Sequence, residues 1–138
     1  MSNVYYELYY HIIWSTKKRI ELIDDGIGKI LKENILKKIK ELEAQQLEFN
    51  SYLDHCHLLA TIPPKISISD FVGKIKGYSS YEINKIKGEK YIQWQRGFGV
   101  LSLNKKGILF VKKYIKNQRQ HHKNKTVIDV LEFVPEEK

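Results

Sequence analysis

The sequence has few of the features that mark exported or membrane proteins. Its 138 residues include one cysteine, one methionine and three prolines. A single cysteine, Cys56, excludes an internal disulfide and favours a reducing compartment. The N-terminus has no basic segment followed by an apolar one, and no hydrophobic run approaches the length of a membrane span. We therefore expect a cytoplasmic protein with no membrane partner.

The length of the chain limits the number of domains that it can form. With 138 residues, of which 42% are hydrophobic, it can bury one substantial core. We expect a single domain over residues 1–138, with a tail from about residue 123 in which residues 127–133 can form a short docked turn. None of the glycine-rich phosphate-binding motifs occurs, so no nucleotide cofactor is expected.

Acidic residues are absent from one long segment of this basic chain. The net charge is +8, and residues 90–128 hold ten basic and no acidic residues. A solvated basic face is the ordinary interpretation, but such faces usually intersperse acids among the bases. The pattern therefore favours a nucleic-acid partner. The candidate backbone contacts are Lys74, Lys76, Arg96, Lys112, Lys113 and Arg119.

The apolar periodicity predicts an α+β domain. Alternating or continuous apolar runs favour strands, and apolar residues at helical spacing favour helices. The expected strands are 4–15, 47–53, 55–62 and 91–103, and the expected helices are about 26–46, 68–87 and 108–122. The order βαββαβ followed by a helix is ferredoxin-like: an antiparallel four-stranded sheet with two helices on one face. The opposite sheet face and the C-terminal helix are then left for function.

Two histidines at alternate positions of the third strand form a candidate metal site. Side chains alternate across a strand, so His55 and His57 share a face, with Cα atoms roughly 7 Å apart, and Cys56 points to the other. On the last helix, Tyr114 and Gln118 are four residues apart and share a face. Two imidazoles and an amide oxygen can hold a divalent cation, and a tyrosine hydroxyl can attack a phosphodiester. These residues predict DNA strand cleavage through a phosphotyrosine.

Other interpretations remain open. A non-catalytic single-stranded nucleic-acid-binding protein would use the same basic segment without needing the histidines or Tyr114. A zinc-dependent hydrolase would use His55, His57 and His121. For His121 and His122 we otherwise expect a solvated helix end, and for His11 a structural role.

Five motifs in the same order resemble the single-tyrosine HUH transposases of small bacterial and archaeal insertion sequences. The proteins of this family are called TnpA-like, and they include the tyrosine transposases associated with repetitive extragenic palindromes. The resemblance covers nearly the whole chain. The motifs are Tyr10-His11-Ile12-Ile13-Trp14-Ser15-Thr16-Lys17, Asp54-His55-Cys56-His57-Leu58-Leu59, Lys76-Gly77-Tyr78-Ser79-Ser80, Trp94-Gln95-Arg96-Gly97-Phe98-Gly99-Val100 and Tyr114-Ile115-Lys116-Asn117-Gln118.

The resemblance implies an activity and a set of roles. Tyr114 would be the nucleophile, and His55, His57 and Gln118 would bind the metal, Mg²⁺ or Mn²⁺. The substrate would be single-stranded DNA with a hairpin, and the product a 5′-phosphotyrosine with a free 3′-hydroxyl. It also implies a homodimer, with the tyrosine helix serving its own or the partner's histidines. Cys56 departs from the family, in which a larger aliphatic residue is usual, but its side chain is expected to face away from the metal.

Overall fold

The computed structural model describes residues 4–135. Residues 136–138, the end of the expected tail, lie outside the described part. Four strands and five α-helices are present within it, together with two short 3-10 turns. Their bounds are β1 Tyr9–Ser15, α1 Asp25–Glu41, β2 Gln45–Tyr52, β3 His55–Thr61, α2 Ile68–Lys87, β4 Gly99–Leu103, α3 Ile108–Lys116, α4 Gln118–Asn124 and α5 Asp129–Glu132.

The four strands form one antiparallel sheet in the order β2-β3-β1-β4. This arrangement confirms the predicted ferredoxin-like fold. Strands β1 and β3 are central, and their register places Ile13 opposite His57 and Ser15 opposite His55. The histidine pair therefore lies in the middle of the sheet, where backbone hydrogen bonds on both sides fix its position.

Each face of the sheet is covered by a different set of helices. Alternate residues of the strands, including Ile12, Trp14, Cys56 and Leu58, pack with the buried stripes of α1 and α2. On the opposite face Leu59 packs with Val111 and Ile115 of α3. The thiol of Cys56 is thus in the main core, as predicted, and α3 to α5 lie over the face that carries the histidines.

Short-range signals in the sequence set the ends of the two core helices. The Asp24 side chain accepts a hydrogen bond from the Ile27 amide at 2.8 Å, and that of Ser67 accepts one from Asp70 at 3.1 Å. Both satisfy amides that have no partner within the first helical turn. Helix α2 ends at Gly88, whose φ of 71° is left-handed and therefore favours glycine. Within residues 4–135, no helix is long and apolar enough to cross a membrane.

The fourth strand is shorter than the predicted 91–103. The backbone amides of Tyr91 and Ile92 donate to the side chain of Asn84 on α2, at 3.0 and 2.8 Å, instead of to a neighbouring strand. Gly97 has a φ of 86°, which interrupts an extended chain. One isolated bridge, Thr16 to Trp94, joins this segment to the end of β1.

Other predicted boundaries also differ. The first strand begins at Tyr9, not residue 4, because the β1 ladders to β3 and β4 both start there. The first helix ends at Glu41, and β2 begins at Gln45. The predicted helix 108–122 is divided at Asn117, where φ of −98° and ψ of 24° separate α3 from α4. Part of the expected tail is folded, since α4 runs to Asn124 and α5 follows.

Candidate active site

His57 is held at the centre of the site by a second histidine. Its ring is fully buried, and its Nδ1 lies 2.9 Å from Nε2 of His11, on the neighbouring strand β1. The two rings stack with centroids 5.1 Å apart. Burial lowers the pKa of His57 to about 4 and that of His11 to about 3, so both are neutral near pH 7. A proton on Nδ1 of His57, donated to His11, leaves Nε2 of His57 with a lone pair directed at the site.

His55 is oriented by the carboxylate that precedes it. Oδ1 of Asp54 lies 2.7 Å from Nδ1 of His55 and accepts a hydrogen bond from it, so Nε2 faces the site. Although burial disfavours the charged ring, hydrogen bonds with Asp54 and Glu132 raise the pKa of His55 above its ordinary value. Carboxylate and imidazole partners of this kind fix the ring of a metal-binding histidine.

Tyr114 reaches the same place from α3. Its ring is buried and lies edge-on to His57, with centroids 6.2 Å apart. Its hydroxyl donates to Oε2 of Glu132 and accepts a hydrogen bond from the Ile128 amide at 3.0 Å. Burial and the bond to Glu132 raise the pKa of Tyr114 above its ordinary value, so the hydroxyl keeps its proton at neutral pH.

Gln118 follows the break at Asn117 and remains beside Tyr114. Its side chain is fully buried, and its Nε2 lies 3.1 Å from Nε2 of His55. Its Oε1 finds no hydrogen-bond partner among residues 4–135. Since the two ends of an amide can be exchanged, Oε1 can occupy the position facing His55. The structure therefore brings together all four residues singled out for cleavage, within one subunit.

Glu132, which the sequence did not single out, lies between these groups. Its Oε1 is 3.1 Å from Nε2 of His57 and 3.2 Å from Nε2 of His55, and Oε2 accepts from Tyr114. Although burial opposes it, hydrogen bonds with His55 and His57 hold the pKa of Glu132 well below its usual range. The available signal was weak: acidic residues resume at Asp129, directly after the basic segment.

His122 also belongs to this site, contrary to the expectation of a solvated helix end. Its ring stacks on Tyr52, with centroids 4.2 Å apart and planes 7° apart, and its Nε2 lies 3.2 Å from Nε2 of His55. Ligand atoms of His55, His122 and Glu132 all lie within 4.8 Å of one another. His121 points elsewhere: it stacks on the ring of Tyr114 and lies 3.0 Å from Oγ1 of Thr126.

The residues present fit a divalent cation. Imidazole nitrogens and amide or carboxylate oxygens are ordinary ligands of Mn²⁺ and related ions, whereas Mg²⁺ prefers oxygen. Among residues 4–135, Oε1 of buried Gln118 has no hydrogen-bond partner, so it supplies an oxygen that a cation can bind.

The six candidate DNA-contacting residues have different surroundings. Lys74, Arg96, Lys112 and Lys113 are exposed. Lys76 donates to the backbone oxygens of Gln95 and Gly97, at 2.8 and 3.0 Å, and so links α2 to the loop before β4. Arg119 pairs with Asp25 at 2.6 Å.

Comparison with known proteins identifies the family. The model of the family described as "Transposase IS200 like" matches residues 4–118. A transposase for insertion sequence element IS200 from Salmonella typhimurium is 34% identical over 121 residues, covering 83% of this chain and 78% of the relative. The chain belongs to the IS200-like transposase family. As an IS200-like transposase it is of a kind that cleaves DNA and transfers strands.

Further relatives agree with this assignment. The ISDra2 transposase TnpA of Deinococcus radiodurans is 26% identical over 121 residues, covering 82% of this chain and 85% of that protein. A crystal structure of a Deinococcus radiodurans protein assigned as a transposase superposes with a TM-score of 0.68 at 25% identity, covering 86% and 95% of the two chains.

A second solved structure shares the fold. It is a REP-associated tyrosine transposase bound to a REP hairpin, with a TM-score of 0.62 at 19% identity, covering 88% of this chain and 74% of that one.

The match to the IS200-like family model ends at residue 118. Tyr114 and Gln118 therefore lie inside the shared region, whereas His122 and Glu132 lie beyond it.

Proposed function

We propose that this IS200-like transposase cleaves and rejoins single-stranded, hairpin-bearing DNA through a 5′-phosphotyrosine on Tyr114. A divalent cation, Mg²⁺ or Mn²⁺, is held by His55, His57 and Gln118. The chain acts as one nuclease domain and as a homodimer. Lys74, Lys76, Arg96, Lys112, Lys113 and Arg119 contact the DNA backbone.

One observation carries the proposal: the tyrosine hydroxyl and both imidazoles reach the two oxygens of a single carboxylate. Tyr114 donates to Oε2 of Glu132, and His55 and His57 lie 3.2 and 3.1 Å from Oε1. The nucleophile and the metal-binding nitrogens are thus separated by about the width of one anionic group. A scissile phosphate is an anion of about the same size as the Glu132 carboxylate, so these residues can act together on one phosphodiester.

The covalent step follows from this arrangement. The Tyr114 oxygen bonds to phosphorus while the bond between phosphorus and the 3′-oxygen of the preceding nucleotide breaks. The proton lost by Tyr114 ends on the released 3′-hydroxyl, so atoms and charge balance. Attack by a second 3′-hydroxyl reverses the step and joins new strands, and no ATP is consumed because the phosphotyrosine retains the phosphodiester energy.

The chain's own residues position this reaction. The Ile128 amide donates to the Tyr114 oxygen and fixes the direction of its lone pairs. His11 and Asp54 hold the two imidazoles with Nε2 toward the phosphate. When bound, the cation withdraws charge from the phosphate, which is the main requirement of phosphoryl transfer.

A covalent-capture assay tests the proposal. Full-length protein is incubated with Mn²⁺ and 3′-labelled single strands containing a hairpin, taken from the DNA that flanks its gene, and separated by denaturing electrophoresis. A labelled protein band is expected, and Tyr114→Phe is expected to lose it while hairpin affinity changes less than about twofold, since one hydroxyl contributes little to backbone binding. Chelator, His55→Ala or His57→Ala is expected to remove the band as well.

Tyr81→Phe is the matched control, because Tyr81 is exposed on α2 and far along the chain from the site. Binding without any adduct under every metal condition would favour the non-catalytic nucleic-acid-binding alternative. Cleavage that survives Tyr114→Phe would favour a hydrolytic enzyme instead.

A further inference from the structure

The active site contains more lone pairs than hydrogen atoms to satisfy them. Four acceptor atoms surround Nε2 of Gln118: the Nε2 atoms of His55 and His122 and both oxygens of Glu132. An amide nitrogen carries two hydrogens. Exchanging the two ends of the amide adds another lone pair and removes both hydrogens. Either orientation leaves the cluster short of positive partners.

Hydrogens on Nε2 of His55 or His57 can bond to Glu132 and offset part of this shortage, and a cation that binds these nitrogens takes the place of those hydrogens. Nδ1 of His55 faces Asp54 and Nδ1 of His57 faces His11, so in the neutral rings Nε2 carries the lone pair. Nε2 of His55 lies 3.2 Å from Nε2 of His122, and both are within 3.4 Å of the same Glu132 oxygen. A cation at the point where these atoms converge satisfies them together.

Two of these groups come from a part of the chain that the family match does not include. His122 is on α4, and Glu132 is on α5, beyond residue 118. The Glu132 side chain is 14% exposed, whereas Asp129, at the start of the same short helix, is exposed. The buried carboxylate is therefore directed into the site, and its neighbouring acid is not.

We propose that Glu132 and His122 are additional ligands of the metal centre, so that the ion ties the C-terminal segment to the histidines of β3. This inference rests on the metal site of the proposed function and extends it. A helix of four residues has little stability of its own. Binding of the ion is therefore expected to order residues 125–135 as well as to fill the site.

Manganese binding without DNA provides the test. Full-length protein is titrated with Mn²⁺, and free ion is counted from its electron paramagnetic resonance signal. Glu132→Gln is expected to raise Kd roughly tenfold or more, because it removes an anionic ligand at almost constant shape. His122→Phe is expected to raise Kd severalfold while keeping a ring against Tyr52. Asp129→Asn, on the same helix, is the control and is expected to match the wild type.

Hydrogen exchange of residues 125–135 gives a second readout. Mn²⁺ is expected to slow exchange there in the wild type and in Asp129→Asn, but not in Glu132→Gln. Should Glu132→Gln fail to fold by circular dichroism, His122→Phe decides the question by the same two measurements.

Equal or tighter Mn²⁺ binding by Glu132→Gln would overturn the inference, since Glu132 would then only occupy the place of the DNA phosphate. In that case, a Tyr114 adduct that still requires metal leaves the proposed function intact. Loss of Mn²⁺ binding in His55→Ala alone, with Glu132→Gln unaffected, would likewise reject the additional ligands and retain the histidine pair.

Discussion

At the scale of single residues, a neighbouring side chain orients each of the two candidate metal-binding histidines of β3. His11 is fully buried on β1, and among the described residues its Nδ1 has no hydrogen-bond partner, whereas its Nε2 faces His57. Within residues 4–135, the ring of the candidate ligand His57 is thus the one polar group that His11 contacts by a hydrogen bond. We interpret His11 as a positioning residue whose Nε2 accepts a hydrogen bond from Nδ1 of His57 and so directs Nε2 of His57 to the site.

The burial of His11 predicts a pH dependence of stability. In the unfolded chain a histidine takes up a proton below about pH 6.5, whereas folded His11, with a pKa of about 3, stays neutral. The unfolded state then binds more protons, so stability falls as the pH falls. Between pH 7 and 5, the free energy of unfolding of metal-free wild type should drop about 2 kcal/mol more than that of His11→Asn. Urea denaturation in chelator measures this, and equal drops would contradict it.

Sequence reasoning reached the residues whose positions follow from local periodicity, and missed the others. Alternation along one strand places His55 and His57 on one face and Cys56 in the core. No spacing rule connects Glu132 to His55, which lie 77 positions apart in the chain, because only the return of the chain over the sheet brings them together. The contact of His122 was missed for a similar reason, since it depends on stacking against Tyr52 of β2.

At the scale of elements, contacts at the ends of helices position the side chains of the candidate active site. The side chain of Asn50 on β2 donates to the carbonyl oxygens of Ile115 and Lys116, at 3.0 and 3.1 Å. These are among the last carbonyls of α3, which do not receive the regular hydrogen bond from an amide four residues later in the helix. These two hydrogen bonds fix the end of α3 just before the break at Asn117, and thereby determine where Tyr114 and Gln118 lie. The single helix predicted from periodicity contains no signal for this break.

Docking of α5 predicts the effect of one added methyl group. A Cβ on Gly99 of β4 would overlap the backbone carbonyl oxygen of Phe133, just after α5, and backbone cannot yield as a side chain does. Gly99→Ala should therefore raise hydrogen exchange of residues 129–135 roughly tenfold while the core of α1 and α2 stays protected. Gly77→Ala is the control, because a Cβ there meets nothing within 4 Å. Unchanged exchange in Gly99→Ala would show that the segment is not docked on β4.

At the scale of the whole molecule, the sheet separates the main hydrophobic core from the candidate active site. The large core lies between the sheet and α1 and α2, and the site lies on the other face under α3 to α5. The basic segment is concentrated in these outer helices: five of its ten cations lie on α3 and α4, and Lys125 follows α4 directly. The sequence showed this charge as a run along the chain, and the fold places much of it around the candidate nucleophile.

The charge distribution predicts how DNA binding depends on salt. For a single strand, the logarithm of affinity falls with the logarithm of salt concentration by about 0.7 for each phosphate neutralised. Lys112→Gln, on α3, should reduce the slope by about that amount, because an exposed cation of the basic segment is removed. Lys37→Gln is the matched control, since Lys37 is also exposed but lies on α1. Fluorescence anisotropy with a labelled hairpin strand at several salt concentrations measures both slopes. If the two variants lose the same slope, net charge alone governs binding, and the face formed by α3 and α4 is not where the DNA backbone lies.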